Sequence, residues 1–356
     1  MKLKSISTIT NILAPVYSGS KRLFCLGAKH ARSYLLEPYC YDKPSQLPLP
    51  QKIFDHSPNE YPDGMDGIPV LPLNCLKEVR AEDAVILIAA EDQEFYNYLG
   101  ELYDNLHCYY FPILPCTAIE AYFYALDHEK EIYDISELLS DEISRRTYIE
   151  YWESRIAGCV YNPALYSEQP YWGNDIVPYL PTGGTIILGG AYNGLHIDRV
   201  QIPGTRHNAM LFEPNPTWAT YLNKKYCESP EIRIIDQALY NSKGEVPFDT
   251  SNELGAQVCI DGSGNCIVQT VRLDDFNLND VVIIALDIEG TELKALEGAE
   301  STIRSCRPIL AICAYHKISD YIDIPRYIHE MGINYKIYFR QHSCYYEESV
   351  VYAIPE

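Results

Sequence analysis

The sequence contains no uninterrupted apolar run approaching the roughly eighteen residues that a membrane-crossing helix needs, which argues against a membrane span. It has no C-x-x-C pair and no Cys/His cluster at zinc spacing, and its 12 cysteines are scattered singly. Reduced thiols in a cytoplasmic protein are the expectation. Cys25 in RLFCLGA and Cys313 in ILAICAY sit in strand-like apolar runs, where a thiol behaves as a small hydrophobe. Basic charge is scarce: 28 Lys and Arg stand against 49 Asp and Glu, a net charge of −21. That balance repels phosphate backbones and anionic surfaces, so nucleic acid is not an expected partner. The opening residues carry Lys2 and Lys4 but no clean apolar stretch followed by small residues, so they read as a weakly amphipathic arm rather than a secretory signal. Internal repeats and low-complexity tracts are absent too.

A length of 356 residues, with 47% hydrophobic and 22% charged side chains, fits two globular domains. In the first half, RLFCLGAKHARSYL reads as strand, turn and helix. The run Ala84 to Ala90 is a second strand, EDQEFYNYLGELYDNL an amphipathic helix and CYYFPI a further strand. This alternation predicts a small parallel sheet over residues 1–140, a Rossmann-like α/β domain. Its first turn keeps only Gly27 of the G-x-G-x-x-G that a dinucleotide pyrophosphate requires, so this half reads as structural or as a surface for a substrate or partner. Self-association through it is the expected route to a homo-oligomer. Residues 141–170 read as a helical connector, because apolar and aromatic residues recur there at helical spacing before proline and glycine break the pattern.

The third segment, 171–356, repeats the β-turn-α logic with clearer punctuation. Strands are predicted at TIILGG, AMLFE, EIRIID, VVIIALD and ILAICAYH, followed by INYKIYFRQHS and ESVVYAIPE. The link between the last two is too short for a parallel crossover, so they form an antiparallel hairpin. In an open α/β sheet the ligand crevice lies beyond the strand ends. The residues delivered there are Gly190, Ala191, Tyr192, Asn193 and Gly194 after the first strand, Glu213 after the second, Asp236 or Gln237 after the third, and Asp287 after the fourth. A glycine-bearing turn lets backbone approach a ligand, and an acid at the end of the second strand can accept hydrogen bonds from both ribose hydroxyls. The acids of DIEGTE, Asp287 to Glu292, sit at the start of a helix, and no His or Cys completes a metal site locally; no metal is expected.

FEPNP, IIDQALYNSKGEVPF, LDIEGTELKALEGAE, AICAYHKISDYIDIPRYI, YKIYFRQHS and ESVVYAIP run in the order of the FkbM family of S-adenosylmethionine-dependent methyltransferases, which this segment resembles. The first half resembles the degenerate Rossmann-like domain that precedes the catalytic domain in some bacterial members. The resemblance implies a seven-stranded class I methyltransferase sheet with an antiparallel last strand, S-adenosylmethionine as cofactor, and O-methylation of a hydroxyl on a sugar, glycan or related metabolite. It further implies that Gly190 to Gly194 line the methionine and ribose, that Glu213 holds the ribose diol, that Asp236 meets the adenine edge, and that Asp287 faces the transferring methyl. Asp287 and His316, the latter at the end of the fifth strand, are the candidate proton acceptors.

The chain departs from the family pattern at Leu188, where an acid usually closes the first strand, and at Leu195, where a second acid often follows the last glycine of the loop; Asp198 lies one helical turn on. Two other classes stay open at this point. A catalytically silent binding protein with the same fold would explain the two leucines, and a nicotinamide-dependent oxidoreductase shares the Rossmann pattern without the missing glycines.

Overall fold

The computed structural model describes residues 3–31, 48–80, 83–90, 97–98, 100, 113–157, 163–199, 207–251, 256–259, 262–343 and 347–356. The expected helix EDQEFYNYLGELYDNL and strand CYYFPI fall largely outside them. Two compact units emerge, one of residues 1–132 and 149–161, the other of residues 133–148 and 162–356. The stretch expected as a connector is thus divided between the units, and the helices Cys116–Leu138 and Glu142–Ala157 each contribute to both.

The first unit is built on five parallel strands, β1 (Arg22–Leu26), β2 (Lys52–Asp55), β3 (Val70–Pro72), β4 (Ala84–Ile88) and β5 (Ile113–Pro115), in the order β3-β2-β1-β4-β5. Phe24, Leu26, Phe54, Ile86 and Ile88 form its core, as continuous apolar runs buried on both faces of a parallel sheet should. The amino-terminal arm is a helix, Lys4–Tyr17, whose stripe Ile6, Ile9, Leu13 and Val16 is buried. Asp55, at the end of β2, stands where a ribose-binding acid would. Its carboxylate accepts the Ala28 N–H at 2.6 Å, the Ser57 N–H at 2.7 Å and the Tyr98 O–H at 3.0 Å, so it is spent on holding its own turn.

The second unit carries β6 (Thr185–Gly189), β7 (Asn208–Phe212), β8 (Ile232–Ile235), β13 (Val281–Leu286), β14 (Ile309–Cys313), β15 (Tyr335–Gln341) and β16 (Ser349–Pro355) in one sheet, ordered β15-β16-β14-β13-β6-β7-β8. The order reverses between β6 and β13, two parallel neighbours whose ends open the crevice. β16 runs antiparallel to both β14 and β15, which gives the antiparallel last strand that the resemblance implied. Between β8 and β13 the chain inserts a second sheet that the sequence reading did not foresee. It is made of β9 (Ala238–Leu239), β10 (Gly244–Asp249), β11 (Gln257–Val258) and β12 (Cys266–Val271), around Ala238, Phe248 and Val268.

Two buried polar devices fix the β15–β16 edge. Arg340, 2% exposed, sends Nη2 to Asp141 at 2.8 Å and to Asp175 at 2.7 Å, and Nη1 to the Ser144 hydroxyl at 2.7 Å. Such a guanidinium is tolerated in the interior because its planar fork is fully used. His342 stands between the Ser167 carbonyl, 2.7 Å from Nδ1, and the Tyr352 hydroxyl, 2.9 Å from Nε2. Burial depresses its pKa from 6.5 to about 4, so it is neutral in the folded protein.

The unfolded chain therefore takes up a proton at this residue that the folded chain refuses in the window between pH 6.5 and about 4. The stabilisation from His342 is complete above that window and is lost as pH falls through it, a change on the order of 3 kcal/mol. Denaturant unfolding followed from pH 7 to pH 4 should show this acid slope, and His342→Gln should flatten it. Equal slopes in the two proteins would contradict the assignment.

Candidate functional site

The crevice beyond β6, β7 and β13 holds a cavity of about 690 Å³. That lies within the size range of pockets for drug-sized molecules and cofactors. Gly190, Ala191, Tyr192, Asn193, Glu213, Asp287 and His316 all line it, so seven of the residues selected from sequence meet in one place. Two do not reach it. Gly194 is buried beneath Tyr226, whose hydroxyl donates to the Gly194 carbonyl at 3.1 Å. Asp236 is exposed just past β8, and the chain turns so quickly into β9 that the apolar Ala238 and Leu239 take the cavity wall instead. Asp236, expected at an adenine edge, thus lies outside the described lining.

The glycine turn is made by close backbone approach. Gly190 has φ +73°, and a Cβ on it would run into the Asp287 carbonyl of the neighbouring strand end. Only glycine combines that conformation with that contact. Its N–H donates to the Phe212 carbonyl at 3.0 Å, while Asp287 donates its own N–H to Gly189 at 3.1 Å. Tyr192 follows with φ +46°, and its ring lies 4.1 Å from that of Trp218, so an aromatic pair walls one side.

Glu213 ties this loop to β7. One carboxylate oxygen accepts the Tyr192 N–H at 2.8 Å and the other accepts the Asn215 N–H at 2.9 Å. Burial raises its pKa, with both backbone donors opposing. Each oxygen retains a lone pair for a ligand hydroxyl.

Across the cavity, Asp287 accepts the Tyr171 O–H at 2.8 Å and the Tyr315 O–H at 3.0 Å. Burial raises both phenol pKa values far above the usual range, with the Asp287 charge adding to the effect, so both remain donors. His316 approaches three carboxylates, with Nε2 at 3.3 Å from Asp287 and 3.5 Å from Glu289, and Nδ1 at 2.9 Å from Glu292. The last contact has hydrogen-bond length without a well-aligned N–H, and we read it as a charge contact. Burial pulls the imidazole pKa down, yet Glu292, Asp287 and Glu289 outweigh it and lift the value to about 9. Burial in turn pushes Glu289 up to about 7 against the opposing pull of His316. A second histidine, His196, lies on the wall beside Tyr171, and burial lowers it to about 4, which leaves it neutral.

The leucines that replace the usual acids have separate fates. Leu188 is buried in the core, whereas Leu195 is exposed at the cavity wall. Asp198 does not stand in for either, because Lys225 Nζ at 2.6 Å and the Tyr226 hydroxyl at 2.7 Å hold it away from the lining. Tyr171, Trp218, Glu289, His196 and the insert-sheet residue Phe248 were missed from sequence. For Glu289 the signal was present, since it lies between Asp287 and Gly290 in the turn after a buried strand.

Residues 190–335 match the family model described as the methyltransferase FkbM domain. Residues 190–335 thus form an FkbM methyltransferase domain. Its fold is similar to that of methyltransferase FkbM from Methylobacillus flagellatus KT, with a TM-score of 0.61 at 18% identity over 99% of this chain and 95% of that one. Precorrin-6y C5,15-methyltransferase from Geobacter metallireducens GS-15 is matched loosely, with a TM-score of 0.32 at 10% identity over 50% of this chain and 82% of that one. N-methyltransferase NodS from Bradyrhizobium japonicum WM9, in complex with S-adenosyl-l-homocysteine, is matched as loosely, at 0.29 and 8% over 64% and 95%. No curated protein matches the sequence. No helix among the described residues is long and apolar enough to cross a membrane.

The Gly190 turn gives the site a direct test. Gly190→Ala should cost more than about 1 kcal/mol of stability, because the positive φ and the Asp287 carbonyl both oppose a side chain. Thermal unfolding that matches the wild type, with ligand affinity unchanged, would show that the close approach is not required.

Proposed function

We propose that this protein binds S-adenosylmethionine in the cavity and transfers its methyl group to a hydroxyl of a sugar, glycan or related metabolite. The observation that carries this reading is the charge of the wall. Glu213, Asp287, Glu289, Glu347 and Glu348 line the cavity, and no Lys or Arg is among its described lining residues. A cationic sulfonium with an ammonium group suits such a wall, whereas the anionic pyrophosphate of a nicotinamide dinucleotide would be repelled. The acidic wall also supplies negative charge that Leu188 and Leu195 do not.

In the proposed pose the ribose diol sits on Glu213 and the methionine lies along the Gly190 turn. The aromatic Tyr192 and Trp218 and the apolar Ala238, Leu239 and Phe248 enclose the nucleoside. The reaction is an in-line displacement: a lone pair of the acceptor oxygen forms the new O–CH3 bond while the S–CH3 bond breaks, its electron pair remaining on a now neutral thioether. The hydroxyl proton passes to a carboxylate of Asp287 or Glu289, which face the expected methyl position, while the charged imidazole of His316 stands between the two and steadies them. Alignment and exclusion of water are the protein's main contributions to such a step. A positioned proton acceptor adds about 10²–10⁴-fold.

Calorimetric titration with S-adenosylmethionine and with NAD separates this reading from an oxidoreductase. Saturable binding of the former alone is expected, weakened about 10–100-fold by Glu213→Gln, the equivalent of one charge-assisted hydrogen bond. Absence of binding at millimolar cofactor would leave the catalytically silent alternative that the two leucines suggest. Asp287→Asn and His316→Ala, made separately, should each lower methyl-transfer turnover at least tenfold, and unchanged turnover in both would remove these residues from the chemistry.

A further inference from the structure

The cluster facing the Gly190 turn has a donor set of its own. Asp287 closes β13, Glu289 follows two residues later with φ +56°, and His316 lies three residues past β14, the parallel neighbour of β13. One ligand atom from each of the three lies within 4.8 Å of the other two, and the two contacts of His316 Nε2 measure 3.3 and 3.5 Å. A cation with metal–ligand bonds of about 2.1 Å sets its ligands roughly 3–3.5 Å apart, so only a small inward movement closes the set. The His316 side chain is 8% exposed, yet its Nε2 makes no hydrogen bond and is aimed between the two carboxylates.

The groups behind the cluster complete the case. Glu292, with its side chain 0% exposed, is anchored by the Ile288 N–H at 2.9 Å and stands 2.9 Å from Nδ1 of His316. That is the place of the outer carboxylate that orients a metal-binding imidazole through its second nitrogen. Tyr171 and Tyr315 hold Asp287 by both oxygens. Glu347 and Glu348 add further negative charge to the lining, and no lysine or arginine among the described lining residues offsets it.

We propose that Asp287, Glu289 and His316 bind a divalent transition-metal cation of the Mn²⁺ and Zn²⁺ class. Two oxygens and one imidazole nitrogen favour such ions over Mg²⁺, which prefers an all-oxygen octahedron. Three protein ligands leave positions open toward the cavity, where the acceptor oxygen would be held and polarised beside the methyl group. The inference shares its cavity with the proposed methyl transfer, but the cation site stands on the three ligands alone.

The test uses the full chain stripped with a chelator and titrated with Co²⁺ as the probe, read by visible absorption and by calorimetry. One Co²⁺ per chain with a ligand-field spectrum is expected, displaced by Zn²⁺. His316→Ala and the near-isosteric Glu289→Gln should each weaken binding at least tenfold, while Glu245→Gln on β10, outside the cavity lining, should not. Absence of a spectrum, or Co²⁺ affinity in either cavity variant equal to the wild type, overturns the proposal. S-adenosylhomocysteine titrated into the same samples keeps the readings apart: nucleoside binding without Co²⁺ binding sinks the cation site and spares the methyltransferase reading.

Discussion

Everything at this site depends on how closely two parallel strands come together where they end. β6 can place its last residues against β13 only because Gly190 has no side chain to strike the Asp287 carbonyl. The hydrogen bonds from Asp287 to Gly189 and from Gly190 to Phe212 then fasten three strand ends side by side. Glu213 extends the same fastening by accepting the Tyr192 N–H, which ties the glycine turn to the end of the second strand. Cavity, aromatic wall and carboxylate cluster are consequences of that contact. A surface loop of the same composition without the sheet beneath it could not keep these groups together.

The N-terminal unit repeats the architecture with its strand-end acid engaged by its own surroundings. Its order β3-β2-β1-β4-β5 repeats the logic of parallel strands meeting beyond a turn. There, however, Asp55 accepts two backbone N–H groups and the Tyr98 hydroxyl. Glu213 lines the cavity and accepts from two backbone groups only. The two acids hold the same position on their strands and differ in the hydrogen-bonding capacity that remains.

Much of this was legible in the sequence because buried parallel strands announce themselves as continuous apolar runs, and the residues after them must converge. Glu213, Asp287 and His316 were found in that way. Asp236 was misplaced by the same rule, since the chain leaves β8 for an inserted sheet whose two-residue strand β9 is too short to leave a pattern. Glu289 and His196 were missed because their roles depend on burial and neighbouring charge, neither of which is local. The three-residue cluster was hidden for a reason of locality as well: His316 is remote from Asp287 in sequence, but pairing of β13 with β14 brings its Nε2 to 3.3 Å. Opposite charge states of the two cavity histidines follow from the same surroundings, His316 among carboxylates and His196 against aromatic rings.

The proposed function places a sulfonium nucleoside in one acidic, strand-end cavity. A crystal structure of the protein grown with S-adenosylhomocysteine tests it most directly. Ribose hydroxyls on Glu213, the adenine against Phe248 and the apolar wall, and the thioether sulfur turned toward Asp287 are expected. Nucleoside density elsewhere on the chain, with this cavity filled by rearranged side chains, would contradict it.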